Sequence, residues 1–331
     1  MKIITCVALA AAMALFGFAE PEPTFKKIRR NPEYQNALAK GAMAQISLKV
    51  VDDERLPVRR ASVHARYDMT TYANESSYLT DERGLCCFTD KTRYCVELDI
   101  SKDGYYDSRV RMPLTGFEHA HDVRDGKWQP YPMEKTVILK KIRNPTALCT
   151  ICNLFRFPAT NIWFRFDMRV GDFVKPLGKG ETADFECLVE WDGLPPTKST
   201  CCKMSLRMLD RLSGGYYADC TKESEYPFSY AAKVDAELIK ELNVVNRDGN
   251  PHTTKVPFRE GCEFVTRTRC KVDNDGRLVA ANYGSIRALS VSPSWDGNPT
   301  LRLYSVINPT PNDTNLEDDE LYQRYKRLRD R

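Results

Sequence analysis

The chain has 331 residues, with 49 basic and 45 acidic side chains and a formal net charge of +4. Charges of both signs are interspersed along most of it, which argues against a dedicated nucleic-acid or polyanion binder. The length suggests two domains and is enough for two real cores, so folding has no need of disulfides.

The chain opens as a secretory signal does: Lys2 supplies a positive start, residues 3–18 are apolar, and Gly17 and Ala19 are small. We expect residues 1–19 to be a signal peptide cleaved after Ala19, which lowers the net charge to +3. The apolar run is shorter than the roughly 20 residues that a helix needs to cross a bilayer. No later stretch is apolar enough, so no transmembrane segment is expected after cleavage, and the location is secreted, periplasmic or cell surface. Residues 20–43 read as a linker and a short helix, with Lys26, Lys27, Arg29 and Arg30 as a solvated basic leader. Asn31 as N-cap, Pro32 at the first helical position and Gly41 as the stop place that helix at 32–40.

Residues 44–141 read as a β-sandwich. Ile46, Leu48 and Val50 alternate with polar neighbours, the signature of a half-buried strand. Further strand signals surround Val58, Ala61 and Val63, then residues 85–88, then Tyr94, Val96 and Leu98, and finally residues 137–139. Gly84 and the Asp103-Gly104 pair mark turns. Residues 144–313 read as a second, mostly-β domain of sandwich type. Phe164, Phe166 and Met168 alternate, as do Phe185, Cys187 and Val189, and then Met204, Leu206 and Met208. Leu238, Ile239 and Leu242 could share one face of a short helix at 231–242. Asp273-Asn274-Asp275-Gly276 joins two strand patterns as a hairpin. Residues 314–331 carry a C-terminal helix signal, with Thr314 and Glu317 as a capping box, acids in the first turn and bases in the last turns.

Pro57-Val58, Ala61-Ser62-Val63, the turn from Thr80 to Gly84, Tyr94 to Leu98 and Lys102-Asp103-Gly104-Tyr105 together resemble the carboxypeptidase-regulatory-like modules, small transthyretin-like sandwiches of secreted and cell-envelope proteins. The resemblance covers residues 46–141. Leu56 and Arg60 stand where the family usually carries glycine, and residues 112–132 form a long segment before the last strand. The resemblance implies a folding and interaction unit without catalytic residues of its own. Ala281-Asn282-Tyr283-Gly284 with Asn308-Pro309-Thr310-Pro311-Asn312-Asp313 is similar to uncharacterised secreted bacterial proteins that join such a region to a regulatory-like sandwich.

Of twelve cysteines, eleven remain after loss of Cys6. In an oxidising compartment disulfides are plausible, and Cys86 or Cys87 with Cys95, and Cys149 with Cys152, are candidate pairs. Cys149-Thr150-Ile151-Cys152 also has the spacing of a redox pair or half a zinc site, but Cys201-Cys202 does not supply a matching second half. His119 and His121 would share a strand face, although their surroundings read as loop. Asp184, Glu186, Glu190 and Asp192 make the densest acidic cluster, expected to be a solvated sheet face rather than a pair of catalytic acids. No Gly-x-Ser-x-Gly, P-loop or EF-hand pattern occurs.

The sequence therefore points to a non-catalytic interaction or structural module without a cofactor, whose partner is a protein or polysaccharide of the cell envelope or exterior. Two alternatives stand beside it. One is a carbohydrate-binding module with Trp191, Trp295, Tyr216 and Tyr217 as its platform, and the other is a thiol or metal protein centred on Cys149 and Cys152.

Overall fold

The computed structural model describes residues 28–69, 72–116, 121–191, 202–246, 261–292 and 298–323. It is mostly β, with its strands in four sheets. They fall into two compact units.

The first unit comprises the described residues through Val50, together with Pro57–Ile100 and Val110–Val137. Helix α1 (Pro32–Lys40) begins where its caps place it, because the Asn31 side chain accepts a hydrogen bond from the Glu33 N–H and Gly41 stops the helix at φ 76°. One sheet holds β1 (Ala42–Asp52), β4 (Leu85–Thr92), β7 (Val123–Arg124), β8 (Lys127–Trp128) and β9 (Met133–Leu139). The other runs in the order β3 (Tyr72–Leu79), β2 (Ser62–Met69), β5 (Cys95–Ser101), β6 (Ser108–Pro113). Period-two alternation buries Ile46, Leu48 and Val50 from one sheet and Val63, Ala65, Val96 and Leu98 from the other. Tyr78 stacks on Phe88 with centroids 4.8 Å apart. Gly84 is required at its turn: its φ is +72°, and a Cβ there would lie 2.3 Å from the Val50 carbonyl oxygen.

The second unit comprises Val51–Leu56, Ser101–Arg109 and the chain from Ile138 onward. One of its sheets has the order β10 (Cys149–Arg156), β19 (Thr300–Ile307), β18 (Leu278–Ser292), β17 (Cys262–Val272), β15 (Gly214–Asp219). The other has the order β12 (Asp172–Phe173), β11 (Trp163–Asp167), β13 (Phe185–Trp191), β14 (Cys202–Met208), β16 (Glu241–Asn246). Alternate residues of both sheets build one apolar core rich in phenylalanine, where Phe166 stacks on Phe185 at 5.2 Å and meets Phe155 edge-on at 5.1 Å. The hairpin of β17 and β18 forms as its turn chemistry predicts, with Asp273 Oδ1 accepting the N–H groups of Asp275 and Arg277 and Gly276 at φ +75°.

Two helix expectations fail in this unit. Residues 231–242 are not helical: Ile239 bridges Gly215, and Leu242 enters β16 opposite Leu206 with its side chain in the core. Strand pairing uses the same apolar residues and satisfies their backbone groups through the sheet. The C-terminal helical turn starts at Asp319, not after a Thr314 cap, since Asp318 Oδ1 receives the Glu320 N–H and Glu317 is turned inward. Residues 324–331 lie outside the described residues.

The acidic cluster also departs from expectation. Asp184 is buried, not solvated, and its carboxylate accepts Arg269 Nε and Thr268 Oγ1 at 2.8 Å and the Met168 N–H at 2.7 Å. Arg269 reaches Asp167 as well, at 2.7 Å. Burial opposes the charge of Asp167, but N–H groups of Thr182, Glu181 and Val170, with Arg269, outweigh it and hold the carboxyl below its ordinary range. Glu186 is bound by Arg165 and Arg207, and Glu190 by Lys203. Asp192 lies outside the described residues.

Candidate binding cavity in the second unit

The sheet that contains β18 and β19 has two unlike faces. Leu301, Leu303 and Ile307 point into the apolar core, while Tyr304 points to the other side. The register between β18 and β19 shifts between Ile286 and Ala288, and Arg287 sits at that irregularity. Its side chain is fully buried on the face that Tyr304 shares, and its guanidinium lies 4.2 Å from the centroid of Phe228.

Loop residues 220–232 and the C-terminal segment supply much of this face's cover. Arg109 N–H donates to the Glu223 carbonyl and Glu225 N–H to the Asp107 carbonyl, both at 2.8 Å. On the loop's other side Ala232 N–H donates to Thr314 O and Leu316 N–H to Tyr230 O. Buried charge fastens the cover. Asp318 Oδ2 accepts Arg287 Nη1 and Thr150 Oγ1, each at 3.3 Å. Leu316 O accepts Tyr226 Oη at 2.7 Å and Arg287 Nη2 at 3.1 Å. Glu317 accepts Tyr106 Oη at 2.9 Å and the N–H groups of Arg143 and Asn144. Glu263, wholly buried, accepts Ser285 Oγ and the Ser229 N–H.

Lys140 lies in the same network. Its ammonium donates to the Phe228 carbonyl and sits 4.2 Å from the Tyr230 centroid and 5.0 Å from that of Tyr226. Burial lowers its pKa to about 8, against the pull of Glu263, Asp53 and other neighbouring acids. Burial likewise raises the phenols of Tyr106, Tyr226 and Tyr230 well above the ordinary tyrosine range, and the charge of Glu317 adds to each.

A cavity of about 580 Å³ opens beside this network. Thr150 and Cys152 of β10 share one strand face toward it, and Cys152 is the register partner of Tyr304. Phe228 and Tyr304, both half-buried and edge-to-face at 6.0 Å, form aromatic wall. Asp318 and Leu321 come from the C-terminal segment, and Lys222, Glu223 and Glu225 from the loop. The volume falls within the roughly 300–1,000 Å³ typical of small-molecule sites.

None of the residues singled out from the sequence as a ligand platform builds this cavity. Trp191 is buried in the apolar core at 7% exposure, so its ring is packed and not available for stacking. Tyr216 and Tyr217 are neighbours on β15 and face opposite sides of the sheet: Tyr216 Oη accepts the Lys233 N–H, and Tyr217 packs on Phe264. Trp295 and His119 lie outside the described residues. His121 engages the Gln129 carbonyl at 2.8 Å. The expected disulfides are absent: Cys86, Cys87, Cys95, Cys149 and Cys152 are all free thiols. Cys149 and Cys152 lie three apart on one strand, so they face opposite sides at a spacing of roughly 10 Å, beyond disulfide reach. That geometry also keeps them from sharing a metal, and among the described residues no three His, Cys, Asp or Glu side chains gather as a metal site.

The residues that do build the cavity come from stretches far apart in sequence. Only Cys152 among them was a sequence candidate. Arg287 carried one signal, a charged residue inside an otherwise apolar strand pattern.

No family model matches the chain, and no curated protein matches it. Among solved structures it is similar to a 3-chlorocatechol 1,2-dioxygenase from Rhodococcus opacus 1CP, at 12% identity over 31% of this chain and 61% of that one, with a TM-score of 0.25. A chlorocatechol 1,2-dioxygenase from Pseudomonas putida matches at 10% identity over 30% of this chain and 61% of that one, with a TM-score of 0.26. A hydroxyquinol 1,2-dioxygenase from Pseudomonas putida DLL-E4 matches at 11% identity over 31% and 58%, with a TM-score of 0.23. The chain thus spans less than two thirds of the length of each. These matches correct the expectation that the chain is not an enzyme: the solved structures that it resembles are enzymes, so its fold gives no ground for excluding catalysis. At this level of likeness no reaction is carried over.

Proposed function

We propose that the chain is a secreted or cell-envelope binding protein that holds its partner in the cavity of the second unit. The observation that carries this reading is the cavity itself, a concave site with aromatic wall and convergent polar groups, set against a network of buried charge that fixes its shape. The leader pattern at residues 1–19 and the resemblance of residues 46–141 to regulatory-like modules support an extracytoplasmic setting. Among the described residues no helix is long and apolar enough to cross a membrane.

The test uses Cys152, an exposed thiol on the cavity wall. The full chain is screened by thermal shift and calorimetry against sugars, amino acids, amines and short peptides. A bulky maleimide is then coupled at Cys152, with Cys152→Ser treated in parallel. A ligand whose binding is abolished by coupling, and restored in the uncoupled serine variant, is the expected result. Binding that survives coupling, or no binding in any class, removes the proposal.

A further inference from the structure

We infer that the cavity takes a neutral, hydroxyl-rich ligand, a sugar residue of an oligosaccharide, and this inference rests on the binding function just proposed. The lining carries hydrogen-bonding groups of both kinds in near balance. Of the lining residues that are not buried, Glu223, Glu225 and Glu320 are acceptors, and Arg109 and Lys222 are donors, all on one cavity of about 580 Å³. A charged ligand would meet like charge on part of this wall whichever sign it had. A hydroxyl both donates and accepts, so it can satisfy carboxylate and cation alike, and hydrogen bonds to ionised groups are roughly twice as strong as neutral ones.

Two further features fit the same ligand class. Asp318 lies buried behind the wall, and its bonds to Arg287, Thr150 and the Glu320 N–H hold the C-terminal part of that wall in place before any ligand arrives. Phe228 and Tyr304 offer apolar ring surface to the C–H groups of a pyranose, and one side of Phe228 is already covered by the Arg287 guanidinium, which holds the ring in place. This set is separate from Trp191, Tyr216 and Tyr217, whose positions in the core and on opposite sheet faces leave them no common ligand.

The experiment is a neutral glycan array, of glucose, galactose and N-acetylglucosamine oligomers, probed with the full chain and followed by calorimetry on any hit. Glu225→Gln and Lys222→Met alter exposed lining residues and should leave the melting temperature unchanged. Each is expected to weaken a bound neutral oligosaccharide at least tenfold, while Tyr217→Phe leaves affinity unaltered. No glycan binding at millimolar concentration, or binding indifferent to both cavity variants, overturns the inference. If amines or amino acids bind instead, and lose affinity in Glu225→Gln, the sugar class is wrong while the binding cavity stands. If no class of small molecule binds, both readings fall together.

Discussion

Two arginines of the second unit sit at register shifts of the same sheet, and they use buried carboxylates differently. Arg269, in the irregular stretch of β17 between Thr268 and Lys271, makes short bonds of 2.7–2.8 Å to Asp167 and Asp184. Its two carboxylates are further saturated by backbone N–H groups and Thr268. Arg287 meets Asp318 only at 3.3 Å, and its Nε has no hydrogen-bond partner. The first arrangement is a closed clasp between the sheets of the core. The second is a looser network bordering a cavity, with longer bonds and one guanidinium nitrogen left unsatisfied. A buried ion pair supports a fold only to the extent that its lone pairs and protons are satisfied, so the contrast makes Arg269 the structural arginine and Arg287 the one that shapes a site.

The largest effect is expected at the clasp. Arg269→Ala leaves two buried carboxylates facing each other without a cation and should cost about 3–5 kcal/mol in denaturant unfolding. A loss below 1 kcal/mol would erase the distinction drawn here. Arg287→Ala should cost less, about 2–3 kcal/mol, because Asp318 keeps Thr150 and the Glu320 N–H and borders the cavity. An equal or larger loss than at Arg269 would reverse the order.

Lys140 separates the two regions by pH. Its folded pKa is lowered by burial from 10.5 to about 8, so above pH 8 this group is more protonated in the unfolded chain than in the folded one, and its contribution to stability rises with pH. Relative to Lys140→Met, the parent chain is expected to gain about 2 kcal/mol between pH 8 and pH 10. In both chains the thiols of Cys187 and Cys220, raised by burial, act in the opposite sense over the same range. Above pH 10 the raised phenols of Tyr106, Tyr226 and Tyr230 act in the opposite sense, because the unfolded chain then sheds protons that the folded one keeps. Asp167 works at the other end of the scale: its pKa is lowered by folding, so its contribution is present above the ordinary aspartate range and is lost as pH falls below about 4. Acid unfolding should therefore begin at a higher pH in Arg269→Ala than in the parent chain.

The smallest effect sets backbone strain beside the ion pair. Arg60 and Arg269 share a left-handed backbone, at φ 51° and 52°. Exposed Arg60→Gly should stabilise by about 1 kcal/mol, since only glycine takes that conformation without a steric cost. Arg269→Gly should destabilise, because the lost clasp outweighs the relieved strain. Melting curves of the pair give the comparison directly.

What was legible in the sequence was local. Asn31, Pro32 and Gly41 state the bounds of α1 from its two ends, and Ile46, Leu48 and Val50 state a strand by alternation alone. The turn at Gly84 and the hairpin at Asp273 follow from side chains that bond their own backbone. Leu238, Ile239 and Leu242 misled because a spacing of three to four residues also occurs where a loop enters a strand. Trp191 misled because an aromatic residue at the end of a strand can lie on either face, and here it packs into the core. The cavity was not legible at all: Arg109, Thr150, Glu225, Tyr304 and Asp318 have no shared period or spacing, and a shift of one residue between β18 and β19 turns Arg287 to the face where it meets them.

The C-terminal segment sets an order on assembly. Leu316, Glu317 and Asp318 close contacts with Tyr226, Tyr106, Arg143, Arg287 and Thr150, and Asp318, Glu320 and Leu321 are themselves part of the cavity wall. A chain made from its N-terminus can complete both β-sheets of this unit while still lacking that wall. Within this unit the cavity wall is therefore completed after both sheets, and a nascent chain that stops short of residue 316 has the strands but not the wall that Asp318, Glu320 and Leu321 supply.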